Sequence, residues 1–379
     1  MNNVLILASV ASMIAQFNMS NIRLLKSMGY NVDVACNFQE GNNLSEEEIE
    51  NLKTTLESMG VTFYQIDFSR SILQFKKNLT AFNQVKKILS DKKYEFVHCH
   101  SPIGGLIGRI AGKLKNVKVI YTAHGFHFYK GAPLKNWILF YPVEKICSYM
   151  TDVLLTINTE DYAFAKQHMN AKKTVYIPGI GIDLKKFKRE EIDKTSKRAE
   201  LSLKNDDVVL LSVGELNHNK NHEVVIKALH KIGDRKIHYL IAGVGVLKEY
   251  LQDLSGKYGF CYNVPFFGDR EDIAELCQIS DLFVFPSLRE GLPVSVMEAM
   301  ASGLPIIASN IRGNRDLVEN HKGGILLSTN SVEEWRQTIK NMVKDSEERL
   351  GMSKYNLDKV QMFSKERVLL ETNNIYKLL

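Results

Sequence analysis

Short apolar segments alternate with amphipathic segments of helical length along this 379-residue chain, and this alternation limits the folds that it can adopt. The rhythm starts at Val4-Leu5-Ile6-Leu7-Ala8, continues through Lys118–Ala123, and restarts in the second half with Val208–Val213. Strand–helix–strand repetition is typical of parallel sheets covered by helices. The sequence therefore predicts an α/β protein with doubly wound sheets, in which ligands bind beyond the carboxyl ends of the strands.

The alternation stops at Ile177-Pro178-Gly179-Ile180-Gly181, where proline and glycine predict a break. A charged segment, residues 185–199, follows and is typical of an inter-domain linker. The chain is also longer than one ordinary hydrophobic core requires. We therefore predict a first domain over residues 1–184 and a second over residues 200–362.

Composition limits the cellular compartment and the partners that we expect for this protein. The five cysteines are scattered without a C-x-x-C pair, so they predict neither a disulfide framework nor a zinc site, and a reducing cytoplasm is expected. No apolar run reaches the roughly 18 residues of a membrane-spanning helix. The net charge is +6, with basic clusters over residues 76–93 and 109–118. Such clusters indicate solvated faces or contact with anionic lipid headgroups. Nucleic acid is not predicted, since no recognition motif accompanies the charge.

The strongest candidate site lies where the apolar strand Leu282–Phe285 leads into a predicted helix. Pro293 is suited to the first helical position, which leaves Leu292 at the capping position. Leucine cannot cap a helix, so the amides of Val294 and Ser295 are predicted to stay free for an anion. This pattern indicates a phosphate site, although an ordinary strand–loop–helix remains the alternative.

Two carboxylates flank this predicted anion site, Glu290 in the loop and Glu298 in the helix. Eight helical positions separate two backbones by about 12 Å. The acid–base pair of a glycoside hydrolase is closer, at about 5–10 Å across one bond. The spacing therefore favours two separate binding roles for Glu290 and Glu298.

The segment Pro286-Ser287-x-x-Glu290-Gly291-x-Pro293, followed by Glu298-Ala299-Met300-Ala301-x-Gly303-x-Pro305, resembles the E-x7-E signature of the retaining glycosyltransferases of family 4. The resemblance implies the GT-B fold, with two Rossmann-like domains facing a central cleft and a last helix, residues 363–379, that crosses back to the first domain. It also implies that Glu290 meets the transferred sugar and Glu298 the ribose of the nucleotide.

The loop Val213-Gly214-Glu215 to Lys220-Asn221 resembles the V-G-R-x5-K-[GN] loop of the same family, which holds the donor diphosphate. Gly214 and Lys220 are therefore predicted to bind the donor. Glu215 stands at the usual arginine position, and Arg270 or Arg289 could supply the missing cation. The segment 266–270 resembles the nucleobase site, which places Phe267 and Arg270 at the donor. Gly243-Val244-Gly245 is interpreted as loop geometry.

His124 follows the strand Lys118–Ala123, at the position where this family places a histidine beside the transferred sugar. The predicted catalytic residues are therefore His124 and Glu290. Ser101 and His127 are predicted on the acceptor side, near His98 and His100. No carboxylate or cysteine at ligand spacing accompanies these histidines, so no metal is predicted.

The resemblance as a whole implies a metal-independent hexosyl- or N-acetylhexosaminyltransferase without a cofactor, since the nucleotide sugar is its substrate. Residues 177–183 and 214–216 resemble capsule and exopolysaccharide enzymes. The expected partners are a UDP-sugar and a lipid-linked or oligosaccharide acceptor, and the expected location is the cytoplasm, peripherally on the inner face of the membrane. A GT-B nucleotide-sugar epimerase and a non-catalytic nucleotide-sugar binder are the alternatives. A dinucleotide oxidoreductase is disfavoured, because no G-x-G-x-x-G follows the first strand.

Overall fold

The computed structural model describes residues 2–69, 71, 73–187, 192–259, 265–266, 268 and 270–379. The chain divides into two compact units, residues 1–180 with 366–379, and residues 181–365. Each unit is built on its own parallel sheet.

The described residues of the first unit form a seven-stranded parallel sheet. Its strands are β1 (Asn3–Val10), β2 (Asn31–Asn37), β3 (Thr62–Gln65), β4 (Tyr94–His100), β5 (Lys118–Ala123), β6 (Val153–Thr156) and β7 (Lys173–Tyr176). Their order is β3-β2-β1-β4-β5-β6-β7. The order reverses between β1 and β4, and ligands of doubly wound sheets bind at such a switch point.

Helices cover both faces of this sheet, which explains why β1 and β4 are apolar and buried along most of their length. These helices are α1 (Ala11–Phe17), α2 (Met19–Ser27), α3 (Glu46–Ser58), α4 (Phe75–Asp91), α5 (Pro102–Leu114), α6 (Leu134–Ser148) and α7 (Thr159–His168). Helix α3 was not predicted from the sequence, although Ser45 and Glu48 form a capping box at its start. Ser45 N donates to Glu48 Oε2 at 2.7 Å, and Glu48 N donates to Ser45 Oγ at 3.2 Å. The S-x-x-E spacing is the signal that predicts this helix start.

The described residues of the second unit form a five-stranded parallel sheet in the order β12-β11-β10-β8-β9. The strands are β8 (Val208–Val213), β9 (Ile237–Ala242), β10 (Leu282–Phe285), β11 (Ile306–Ser309) and β12 (Gly324–Leu327). The helices are α8 (Leu184–Phe187), α9 (Lys194–Glu200), α10 (His222–Ile232), α11 (Lys248–Lys257), α12 (Ile273–Ile279), α13 (Val294–Ala301), α14 (Asn314–Leu317), α15 (Val332–Lys344) and α16 (Ser346–Lys359), followed by a 3-10 turn (Val360–Phe363). The switch point of this sheet lies between β8 and β10.

The predicted linker, residues 185–199, is not a free spacer, since α8 and α9 occupy much of it. Arg198 in α9 donates to Ile279 O at 2.7 Å and pairs with Asp281 at 3.0 Å. Lys197 pairs with Asp272 at 2.9 Å. Charged residues of the predicted linker therefore attach α9 to the second unit.

The last helix, α17 (Lys365–Tyr376), brings the chain end to the first unit, as predicted. Tyr376 Oη lies 2.9 Å from His98 Nδ1, and its ring stacks on Phe96 at 5.6 Å between centroids. Val368 and Thr372 are buried on the same helix. Apolar packing and the buried hydrogen bond to His98 therefore hold α17 against β4, on the face of the sheet that carries Phe96 and His98.

Candidate active site

Loops after β8 and β10 meet at the switch point of the second sheet. Asn219 Nδ2 donates to Arg289 O at 3.0 Å, and Leu288 N donates to Asn219 O at 2.8 Å. Asn221 Nδ2 donates to Pro286 O at 3.3 Å. These bonds hold the two predicted donor loops, around Lys220 and Glu290, in one arrangement.

The two loops bring Lys220 and Glu290 into direct contact. Lys220 Nζ lies 2.7 Å from Glu290 Oε1, with 18% and 14% of the two side chains exposed. The same ammonium group lies 4.8 Å from the centre of the Phe285 ring. Because the pair is largely shielded, the attraction between its charges is stronger than that of an exposed pair. An anion that binds Lys220 must therefore compete with Glu290.

Helix α13 begins at Val294, with Pro293 rather than Leu292 as its N-cap residue. Pro293 has the extended backbone of a cap (φ −75°, ψ 122°), which corrects the predicted helix start by one residue. Within the part of the chain that the structure describes, no side chain caps this helix. Leu292 is buried, whereas Val294 and Ser295 are partly exposed. The first-turn amides thus lack a side-chain partner, which favours an anion there.

Glu298 is partly buried on α13. Burial raises the pKa of its carboxyl group to about 7, while the charge of Lys186 in α8 acts in the opposite direction. The carboxyl group therefore changes its charge near neutral pH, whereas an exposed glutamate is ionised there.

Three further polar atoms near α13 are buried without a hydrogen-bond partner among the described residues. They are Ser287 Oγ, Ser309 Oγ and Asn314 Oδ1, in the segments that follow or end the adjacent strands β10 and β11. Unpaired buried polar atoms are unfavourable unless a ligand or solvent satisfies them. Their concentration beside the switch point supports a polar ligand at this edge of the sheet.

Two glycines allow the loops of this edge to pack closely. A Cβ atom on Gly243 would lie 2.0 Å from Gly214 O, and one on Gly313 would lie 2.4 Å from Gly291 O. The Gly243-Val244-Gly245 turn is therefore required for packing against the loop that carries Gly214.

Sequence reasoning missed Arg312, which is 5% exposed and donates from Nε to Glu290 O at 3.1 Å. Arg270 has a carboxylate partner, since its Nε lies 2.6 Å from Asp272 Oδ1. Glu215 and Arg289 are exposed. Phe267 lies outside the described residues, so the predicted nucleobase contact has no structural account. Arg312 therefore supports the Glu290 loop through its backbone.

In the first unit, His124 lies beyond the end of β5 and contacts His100 at the end of β4. His100 Nδ1 lies 3.1 Å from His124 Nε2, and the Phe17 ring packs edge-on against His124 at 5.6 Å. Burial lowers the pKa of His124 to about 4 and that of His98 to about 3, and it lowers the pKa of His100 well below its usual value. All three rings are therefore neutral at neutral pH.

The surroundings of these histidines are hydrogen-bond partners rather than a cluster of ligating side chains, within the described residues. Among the residues that the structure describes, no group of three or more His, Cys, Asp or Glu side chains is arranged to hold a metal ion. His98 is instead bonded to Tyr376 Oη and, at 2.8 Å, to Thr122 Oγ1.

The predicted acceptor residues Ser101 and His127 line one cavity of about 370 Å³ at the switch point of the first sheet. Ser101 Oγ lies 2.6 Å from Ser9 Oγ, which also accepts from Gly104 N at 3.1 Å. His127 packs on Phe140, with 4.6 Å between ring centres. The remaining wall is largely apolar, with Ile103, Leu106, Leu139 and Val143 among its residues. The cavity thus combines a hydroxyl-lined end with an apolar side.

Two family models match the chain, "Glycosyl transferase 4-like" over residues 3–158 and "Glycosyl transferases group 1" over residues 193–359. The chain is 33% identical over 380 residues to EpsD of Bacillus subtilis (strain 168), whose own assignment as a glycosyltransferase is provisional; the match covers 98% of this chain and 96% of EpsD. It is 31% identical over 280 residues to the Escherichia coli UDP-Gal:alpha-D-GlcNAc-diphosphoundecaprenol alpha-1,3-galactosyltransferase, over 71% of each chain. The E. coli O-antigen biosynthesis glycosyltransferase WbnH is 28% identical over 244 residues, 64% of this chain and 66% of WbnH. The chain therefore belongs to the glycosyl transferases group 1 family, as the signature around Glu290 indicated.

Solved structures of the same architecture cover the whole chain. HepE of Anabaena in complex with UDP superposes with a TM-score of 0.80 at 18% identity, over 100% of both chains. Sucrose-phosphate synthase of Thermosynechococcus elongatus gives a TM-score of 0.81 at 19% identity, over 100% of this chain and 99% of the synthase. The predicted GT-B fold is confirmed.

Proposed function

We propose that this glycosyltransferase moves a sugar from a UDP-sugar to a hydroxyl group of a lipid-linked glycan in cell-surface polysaccharide biosynthesis, with retention of configuration and without a metal ion. The observation that carries the proposal is the contact between Lys220, in the loop after β8, and Glu290, in the loop that leads into the uncapped helix α13. Two relatives support it, since one takes UDP-Gal and a diphosphoundecaprenol acceptor and another acts in O-antigen biosynthesis.

The donor half of the mechanism follows from the charges at α13. Lys220 and the amides of Val294 and Ser295 supply positive potential for a diphosphate, which gains negative charge as it leaves the sugar. Glu298 accepts hydrogen bonds from ribose hydroxyls. Once a diphosphate takes Lys220, the carboxylate of Glu290 is released to bind hydroxyls of the transferred sugar.

The first unit contributes His124 and the binding site for the acceptor. A neutral imidazole cannot neutralise a diphosphate, but it can hydrogen-bond a sugar oxygen. The hydroxyl-lined end of the cavity, with Ser101 and His127, suits a sugar acceptor. Its apolar side suits the start of a lipid chain.

We further propose that an anionic bilayer binds an exposed apolar surface next to this cavity, which we call the rim. It consists of Leu73 and Leu139, which line the cavity, together with the exposed residues Phe75, Leu79, Leu134 and Ile138. Residues 73–90 and 124–143 contain lysines but no aspartate or glutamate. An apolar surface on segments that carry lysines and no acidic residue is complementary to anionic lipid headgroups.

The basic cluster of residues 76–93 contributes less to such a surface than its composition indicates. Lys77 pairs with Glu40 at 2.7 Å, Lys87 with Asp91 at 2.7 Å, and Lys92 with Asp33 at 2.8 Å. Arg109, from the second cluster, is buried against Glu144. Among the described helices, none combines the length and apolarity that crossing a bilayer requires.

The function is tested by calorimetry with UDP-, GDP- and ADP-sugars and by transfer to a synthetic GlcNAc-diphospholipid. We expect binding of UDP-sugars that Lys220→Ala and Glu298→Ala weaken, with Lys340→Ala, on the exposed side of α15, as the control. Transfer without change of anomeric configuration supports the proposal. Turnover of the donor without acceptor would instead indicate an epimerase, and binding without any turnover would indicate a non-catalytic binder.

The rim is tested separately by sedimentation with phosphatidylglycerol and phosphatidylcholine vesicles. We expect binding to phosphatidylglycerol that is lost in the Phe75→Ser/Ile138→Ser variant and kept in Leu350→Ser/Leu357→Ser, which removes two exposed leucines of α16. Equal binding of both double variants would refute the rim as the membrane contact.

A further inference from the structure

We propose that His100 is a positioning residue that holds His124 in the Nδ1–H tautomer, so that His124 presents a hydrogen-bond donor, not a base, to the transferred sugar. The effect on transfer rests on the proposed function, whereas the tautomer of His124 does not.

The geometry follows from the pleat of the first sheet. His98 and His100 are two positions apart in β4, so their side chains lie on the same face of the sheet. Thr122 of β5 lies opposite His100. His124 follows two residues later, so that its Nε2 reaches His100 Nδ1 at 3.1 Å. His100 is 2% exposed, whereas His124 is partly exposed.

The other ring nitrogen of His100 determines where the proton lies. His100 Nε2 is buried and has no hydrogen-bond partner among the described residues. In protein backbones, orphaned buried N–H groups are rarer than under-satisfied carbonyl acceptors, and we apply the same preference to the ring of His100. We therefore assign the proton of His100 to Nδ1, from which it is donated to His124 Nε2. A neutral His124 that accepts at Nε2 carries its own proton on Nδ1.

His98 provides an internal comparison on the same face. It is as buried as His100, but it bonds to Thr122 and Tyr376 and makes no hydrogen bond to His124 among the described contacts. Replacement of His98 should therefore lower the stability of the protein, whereas replacement of His100 should change the tautomer of His124.

The first test is the tautomer, read from the 15N shifts and two-bond couplings of the His124 ring in the full chain, with His124→Gln to assign the signals. We expect a protonated Nδ1 in the wild type and a mixture of tautomers in His100→Phe. A proton on Nε2 in the wild type would overturn the proposal, whether or not the protein transfers sugar.

The second test compares amide replacements, because the amide nitrogen of asparagine lies near the position of ring Nδ1 and that of glutamine near Nε2. We expect His100→Asn to keep the wild-type kcat, and His100→Gln and His100→Phe to lower kcat by about 3- to 10-fold, the equivalent of one neutral hydrogen bond, with the donor KM unchanged. His98→Phe should lower Tm and leave kcat unchanged. Equal kcat in His100→Asn and His100→Gln, with native circular dichroism in both, contradicts the positioning role.

Discussion

Lys220 Nζ lies 2.7 Å from Glu290 Oε1, although 70 positions separate the two residues along the chain. The contact joins the loops after two neighbouring strands, β8 and β10. It pairs the cation predicted for the diphosphate with the carboxylate predicted for the sugar. A donor diphosphate that binds Lys220 must therefore displace Glu290 from it.

Removal of the cation should weaken donor binding. In Lys220→Met, the diphosphate loses a charge-assisted contact and Glu290 loses its counter-ion. We expect the Kd for UDP to rise at least about tenfold, in line with the roughly 1.5–3 kcal/mol of a hydrogen bond to a charged group. Calorimetry at low and moderate salt measures this change, with Lys340→Met as the control. An unchanged Kd would show that Lys220 does not hold the diphosphate.

Removal of the competing carboxylate should separate binding from turnover. In Glu290→Gln, Lys220 is no longer held by a negative charge, so we expect UDP to bind as tightly as to the wild type or more tightly. Transfer should fall by about 100-fold or more, since the sugar loses a charged hydrogen-bond acceptor in the transition state. The measurement is the Kd for UDP beside kcat for the UDP-sugar. Weaker UDP binding together with wild-type kcat would contradict both roles.

Glu298 should lower the stability of the protein at alkaline pH. Its pKa is raised to about 7 in the folded protein from an ordinary value of 4.5, so the folded state binds the proton more tightly. Its contribution to stability is complete below pH 4.5 and is lost as pH rises through 7. Glu298→Gln should match the wild type near pH 4.5 and unfold with a free energy higher by about 2–3 kcal/mol at pH 8.

Urea denaturation of the free protein at both pH values measures this difference, with Glu333→Gln, an exposed glutamate of α15, as the control. Equal pH dependence in Glu298→Gln and the wild type would show that the carboxyl group is not desolvated. The stabilised variant should bind UDP more weakly, because an amide is a poorer acceptor than a carboxylate for ribose hydroxyls.

The hydroxyl group of Tyr376 should stabilise the docking of α17. Tyr376→Phe leaves His98 Nδ1 buried without a partner, and such a group is unfavourable by about 1–3 kcal/mol. We expect a lower Tm and an unchanged Kd for UDP. Thr372→Val removes another buried hydroxyl group from the same helix, and it tests whether the loss of any buried hydroxyl group lowers Tm equally. A wild-type Tm in Tyr376→Phe would show that the ring alone holds the helix.

The sequence alone determined the features that depend on local pattern. Apolar runs predicted most of the strands, and Pro293 after Leu292 predicted an uncapped helix start, one residue before the observed one. The resemblance carried by this segment identified the family and the GT-B fold. These features are readable because strand and helix periodicity, capping and loop chemistry involve residues only a few positions apart. Helix α3 was readable in the same way from Ser45 and Glu48.

Only the tertiary structure decided which side chains face one another. It paired Lys220 with Glu290, placed Arg312 behind the Glu290 loop, and bonded His98 to Tyr376 across 278 positions of the chain. It also raised the pKa of Glu298 and directed His100 at His124. The physical reason is that side-chain direction at loop ends and the loss of solvent depend on which distant segments pack there, and no local spacing encodes that packing.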